Sequence, residues 1–238
     1  MNNSLRQAGT LILLLTWLLS AESLAQQPAL SSTSRAGAGL ALVSWKADGD
    51  CITQFALPFS LRYSLNEQVQ LYAVTQPSFN RYKRSATYDL SGLSDLKLGG
   101  HYLFWDDQLL FTFGLNLPAG KNRLSASEFA IASVLSQPAL NFTAPLLGEG
   151  LGVQAGLTHA LVMQDWKIGI GASFLVRGSF QPFADAETAY NPGEEISVTV
   201  GVNRGNWYAD LLYSLFTYDT WAGKKLFKPG PALLINVY

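Results

Sequence analysis

The chain has 238 residues, a net charge of −1, 48% hydrophobic residues and only 14% charged residues. Soluble domains usually carry about a quarter charged residues, so the deficit fits a protein with a large face in contact with lipid. A net charge near zero leaves no electrostatic footprint for nucleic acid, and Cys51, the single cysteine, excludes an intrachain disulfide and a metal site built of cysteines.

Arg6, the apolar run Thr10 to Ser20 and the small-x-small step Ser23-Leu24-Ala25 read as a cleavable secretory signal over residues 1–25. No cysteine follows the cleavage point, which argues against a lipoprotein anchor. The remaining residues, 26–238, contain no other long apolar run, so helical membrane spans are not expected. They are expected to form one domain.

From there on, segments with a period of two recur. A weak first strand around Gly39 to Trp45 is followed by one in which Phe55, Leu57, Phe59, Leu61, Tyr63 and Leu65 alternate with Ala56, Pro58, Ser60, Arg62 and Ser64. A strand turns these two sets to opposite faces. Val69, Leu71 and Ala73 continue the pattern against Gln68, Gln70 and Tyr72. Leu96 to Phe104 places Lys97, Gly99, His101 and Leu103 on one face, and Leu109 to Leu117 alternates likewise. The second half repeats it at Leu151 to Thr158, Trp166 to Arg177, Ile196 to Asn203 and Trp207 to Leu215, with a last strand from Pro231 to Tyr238.

Tight turns at Leu65-Asn66-Glu67, Asp106-Asp107, Gln164-Asp165 and Gly205-Asn206 take turns with long polar segments at 47–54, 77–93, 119–148, 178–194 and 219–230. Short turns at one end, long loops at the other and alternation between them are the signature of a transmembrane β-barrel. The expected fold is therefore all-β, a transmembrane antiparallel up-and-down barrel of about ten strands, with twelve as the alternative. Trp105, Trp166 and Trp207 each flank a different short turn and would form an aromatic girdle at one membrane interface. Outer-membrane lipid and the barrel assembly machinery are the expected partners, and the cell outer membrane the expected location.

One long segment differs from the rest. Ser125-Ala126-Ser127-Glu128 has capping-box spacing ahead of an apolar run. A short amphipathic helix there would carry Phe129, Ile131, Val134 and Leu135 as gate residues over the barrel mouth. An apolar helix packed on the rim or covering a strand edge fits the same residues.

Arg62, Lys97, His101, Lys167, Arg177 and Asp210 fall on the lumen face. A barrel this narrow has little free bore, and buried charges must be paired or wet. The expected pairing joins Asp210 to one or more of Lys167, Arg177 and Arg62. The alternative is a basic constriction. Neither histidine, His101 or His159, has a serine nearby in sequence of the kind that hydrolases need, and no metal spacing of histidines or paired carboxylates occurs. The chain is expected to be no enzyme and to need no cofactor.

Three segments carry a family resemblance. They are Leu57-Pro58-Phe59-Ser60-Leu61-Arg62-Tyr63, Gly92-Leu93-Ser94-Asp95-Leu96-Lys97-Leu98-Gly99 and Gly114-Leu115-Asn116-Leu117-Pro118-Ala119-Gly120-Lys121. They resemble the outer-membrane transporters linked to the meta-pathway of phenol degradation, in which a G-L-x-D-L-x-L-G segment opens one strand and a G-L-x-L-P-T/A-G segment closes the next. Leu147-Gly148-Glu149-Gly150-Leu151 and Arg177-Gly178-Ser179-Phe180 add to the likeness, which covers most of residues 26–238. The resemblance implies passive transport of small hydrophobic or aromatic molecules across the outer membrane. A non-transporting barrel with functional or adhesive loops is the alternative, and a lipid-modifying barrel enzyme using His101 a third. The family is often larger, with room for about twelve strands, and here Asn236 falls on the face of the terminal Tyr238 while Leu233, Ile235 and Val237 fall on the other.

Overall fold

The computed structural model describes residues 33–237 except 48, 107, 122, 138, 139, 141, 143–147 and 185–187. The signal expected over residues 1–25, and Tyr238, lie outside the described residues. In chain order the elements are β1 (Arg35–Ala38), β2 (Ala41–Ala47), β3 (Asp50–Ala56), β4 (Phe59–Ser64), β5 (Val69–Thr75), β6 (Ser78–Lys83), β7 (Thr87–Gly92), β8 (Leu96–Phe104) and β9 (Leu109–Leu117). After α1 (Ala126–Leu135) come β10 (Gly152–Met163), β11 (Trp166–Arg177), β12 (Tyr190–Asn191), β13 (Glu195–Arg204), β14 (Trp207–Phe216), β15 (Thr220–Trp221), β16 (Lys224–Lys225) and β17 (Ala232–Val237).

The strands form three sheets. A ten-stranded antiparallel sheet runs β1-β4-β5-β8-β9-β10-β11-β13-β14-β17, a four-stranded one runs β2-β3-β6-β7, and β12-β15-β16 make a small third. The described residues thus form seventeen strand segments rather than ten. The excess has a physical origin. The strands entering β1, β4, β5 and β8 are interrupted at one level, around Gly39, Leu57-Pro58, Gln76-Pro77 and Leu93 to Asp95. Pro58 and Pro77 have no N–H for the ladder, and proline in a sheet is confined to such breaks. Bonds from Gly39 N–H to the Pro58 carbonyl (2.9 Å), Leu57 N–H to Pro77 (2.9 Å) and Ser94 N–H to Gln76 (3.2 Å) carry the pairing across the crease. The segments expected as loops at 47–54 and 77–93 are therefore mostly strand, forming the hairpins β2–β3 and β6–β7.

The two faces are inverted relative to a soluble protein. Leu61 is 49% exposed, Ile170 50% and Ile235 61%, and Phe59, Tyr63, Phe113, Leu157, Val198 and Leu215 share their face. The opposite face holds Gln70, Ser197 and Ser214, all buried, with Thr112, Thr158 and Thr199 along the same rows. Water-soluble sheets bury the apolar set instead. Leu233, Ile235 and Val237 lie on the outward face like the other apolar rows, so Asn236 points inward and donates to Asp210. Among the described residues no pairing joins β1 to β17.

Trp105 (75% exposed), Trp207 (73%) and Trp166 stand exposed at short turns. Trp105 and Asp106 have φ of 58° and 52°, and Gln164 has φ 55°, the left-handed backbone that tight primed hairpin turns require. No described helix is long and apolar enough to cross a membrane.

The orientation has a direct test. Ile170→Arg, in the middle of the outward face of β11, is expected to cost about 2–4 kcal/mol when the protein folds from urea into phospholipid vesicles. A half-exposed isoleucine on a water-soluble sheet would accept arginine with little loss, and a cost near zero would contradict the lipid-facing assignment.

Candidate functional site

The inward face of the ten-stranded sheet carries most of its polar residues and glycines, with apolar side chains such as Leu103, Leu110 and Leu212 among them. Gly99 is one reason the rings there can lie flat: a Cβ on it would stand 2.4 Å from the Tyr72 ring and 2.6 Å from the Phe113 carbonyl. Tyr72 covers this glycine and stacks beside His101, with ring centroids 5.4 Å apart.

The lumen residues expected from the sequence all map to inward rows, but they do not converge. Arg62 lies opposite Tyr72, and Lys167 opposite Asn203, both near short turns. Lys97 faces Asn116 and Arg177 faces Gly152 at the loop end, while His101 pairs in register with Gln70, beside Tyr72 and one inward row nearer the short turn than Arg62. The expected bond between Asp210 and Arg177 is not formed. Asp210 accepts from Asn236 Nδ2 (3.0 Å), and Arg177 donates to Glu195 Oε2 (2.6 Å) and the Gly193 carbonyl (2.9 Å). The two sit at opposite ends of the wall, Arg177 ending β11 and Asp210 four residues beyond a turn, so no rotamer brings them together.

A better-defined site lies at the loop end. The helix expected after Ser125 is α1, and its capping box is complete: Ser125 Oγ accepts from Glu128 N–H, and the Glu128 carboxylate accepts from Ser125 N–H. Lys121 adds an ion pair with Glu128. Although desolvation pushes the Glu128 carboxyl upward, the Lys121 and Ser125 hydrogen bonds outweigh it and hold the group below its ordinary value.

Of the expected gate residues, Ile131 and Leu135 lie one turn apart and are fully buried, 0% and 1% exposed. They pack with Ile52, Leu90 and Phe142, and Val134 joins the rim of this cluster with Tyr82 and Tyr88. Ile52 and Leu90 lie on the same face as the buried pair Gln54 and Asn80, joined at 2.8 Å. The exposed Phe55, Phe59 and Leu61 mark the other face on both sides of the crease, so α1 rests on the inward side of β2-β3-β6-β7. Trp45 Nε1 donates to the Leu140 carbonyl (2.7 Å) and ties the segment after α1 to the same sheet.

Phe129 points the other way. Its ring lies 4.8 Å from Phe183, which neighbours Trp221 at 6.0 Å; Trp221 neighbours Tyr190 at 6.3 Å, and Tyr190 meets Phe180 edge-on at 5.6 Å. Asp219, 5% exposed, fixes this aromatic row by accepting from Gly193 N–H (2.6 Å) and the Tyr190 hydroxyl (2.5 Å). Burial and then the Asp219 bond raise the Tyr190 hydroxyl above its ordinary value.

Sequence reasoning on single residues missed a second carboxylate. Asp95, 4% exposed, sits in the break between β7 and β8. Its Oδ1 accepts from Gly120 N–H (2.9 Å), and its Oδ2 from Asn116 Nδ2 (2.7 Å) and Glu149 N–H (2.7 Å). Asn116 also donates to the Gly150 carbonyl (2.6 Å). An aspartate inside a short glycine- and leucine-rich segment was the available signal. Among the described residues no group of three or more His, Cys, Asp or Glu could hold a metal ion.

No protein-family model matches the chain, and no curated protein matches it. Among solved structures it is similar to an outer membrane channel from Pseudomonas putida F1, with a TM-score of 0.52 at 15% identity over 83% of this chain and 78% of that one. The likeness establishes an all-β, mostly antiparallel fold of the outer-membrane-channel kind.

The cap gives a two-part test. Ser125→Ala should destabilise α1 by about 1 kcal/mol, read by hydrogen exchange over residues 126–135. Because the Glu128 carboxyl is lowered in the folded state, its contribution is present above the ordinary carboxylate range and lost as pH falls through the lowered value. Exchange over α1 should therefore accelerate on acidification, and Glu128→Gln should remove most of that acceleration.

Proposed function

We propose that this chain is an outer-membrane β-barrel channel that passes small hydrophobic or aromatic molecules passively, with α1 as its gate. The inversion of the two faces carries the reading. Ten neighbouring strands with apolar rows outward and polar rows inward fit a wall between lipid and an aqueous lumen. In hydrocarbon an unpaired sheet edge costs several kcal/mol per backbone group, so β1 and β17 meet to close the wall in the membrane. Likeness to an outer membrane channel supports the same class.

The loop end supports an apolar or aromatic solute. Apolar molecules would meet the row Phe129, Phe183, Trp221 and Tyr190 before the polar wall. The phenol-degradation resemblance points to the same cargo. Passage needs no cofactor, outer-membrane lipid is the surrounding partner, and the barrel assembly machinery inserts the chain. A sealed structural barrel is the second reading, favoured by the complete burial of Ile131 and Leu135.

Flux of a small aromatic hydrocarbon into vesicles with a lipopolysaccharide outer leaflet separates the two. The channel reading expects faster entry than into empty vesicles, and faster still when residues 126–135 are replaced by a Gly-Ser linker. Entry no faster than into empty vesicles, for both proteins in folded, heat-modifiable form, would establish the sealed barrel instead.

A further inference from the structure

The gate is rooted at one carboxylate. Asp95 accepts from Gly120, just past the end of β9, and from Glu149, just ahead of β10. These are the two roots of the segment that contains α1. The third donor, Asn116, belongs to β9 and reaches on to the Gly150 carbonyl, so wall and roots share one knot. Asp95 itself cannot drift. Ser94 accepts from Gln76 N–H at 2.8 Å, and Ser94 N–H donates to the Gln76 carbonyl, which locks the break to β5 and the crease.

The chemistry of the knot is one-sided. All three partners are N–H donors, so the site needs an acceptor on both oxygens, and an ionised carboxylate is the only side chain of that size that offers this. Hydrogen bonds to a charged acceptor are about twice as strong as neutral ones. The apolar seat of α1 on β7 is a separate interaction, formed by Ile131 and Leu135. Seat and root are therefore distinct.

We propose that Asp95 is the positioning residue of the gate: it holds both roots of the α1 segment to the wall, so that α1 returns to one seat and its motion leaves β9 and β10 paired. Three separate segments, at Asp95, Asn116 and Glu149, meet at this point, although the outermost lie 54 residues apart. The proposal rests on α1 being a gate.

The test uses the full chain in lipid vesicles with the isosteric variant Asp95→Asn, which replaces one acceptor oxygen with a donor that faces other donors. Hydrogen exchange over 126–135 should rise by about tenfold or more, as loss of a bond to a charged group implies, while exchange over 166–177 in the wall stays unchanged. Aromatic flux should rise with it. Unchanged exchange over α1 in a folded variant overturns the proposal, and so does an equal rise in loop and wall, which would make Asp95 a general stabiliser. If Asp95→Asn fails to insert, Asn116→Ser, which removes one donor and leaves the carboxylate, is judged by the same two readouts. Faster exchange over α1 with no flux from either this variant or the linker variant upholds the root and refutes the channel.

Discussion

A strand in hydrocarbon has nowhere to send its N–H and C=O groups except to a neighbouring strand, and each group left over costs several kcal/mol. The ten-stranded ladder meets that demand between β1 and β17, whose own outer edges are unpaired among the described residues. Once the backbone is satisfied between neighbouring strands, the outward rows are free to be leucine, isoleucine, valine and phenylalanine, and the inward rows to hold polar residues and glycines among a few leucines. The principal apolar cluster therefore lies away from the ten-stranded wall. Ile131 and Leu135 find their apolar partners on the inward face of the four-stranded extension, above the crease set by Pro58 and Pro77.

That displacement explains why the loop end is organised by carboxylates. The segment that carries α1 packs through α1 and Phe142 and is tied at Leu124 and Leu140, and none of these contacts fixes its two roots at the wall. Buried N–H groups at those roots must be satisfied, and Asp95 satisfies two of them together with Asn116. Asp219 does the same for Gly193 and the Tyr190 hydroxyl on the other side. Phe129 against Phe183 joins the two halves, so α1 and the aromatic row share an edge.

Much of the wall was legible in the sequence because its physics is local. Alternation at Phe59 to Leu65 or Trp166 to Val176 needs no knowledge of distant residues, and neither do the Gln164-Asp165 turn or the Ser125-x-x-Glu128 cap. Apart from β2, which overlaps the strand expected from Gly39 to Trp45, the extension hairpins were illegible because Pro58 and Pro77 punctuate continuous strands, and because their inward face buries Gln54 and Asn80 as a hydrogen-bonded pair that reads as loop polarity. The partners of Asp210 and Arg177 were misread for a different reason: alternation assigns a face, and the height on the wall depends on strand register across several hairpins. Asp95 lay inside a recognised motif, yet its donors come from three separate segments, and nothing local announces their convergence.

The account depends on the apolar rows meeting lipid and the polar rows meeting water. Single cysteines at positions 167 to 174, in a Cys51→Ser background reconstituted in vesicles, measure this most directly through their rates of reaction with a small charged maleimide. Reaction at 167, 169, 171 and 173 with protection at 168, 170, 172 and 174 is the expected pattern. The opposite alternation would place water on the apolar face and contradict the membrane wall.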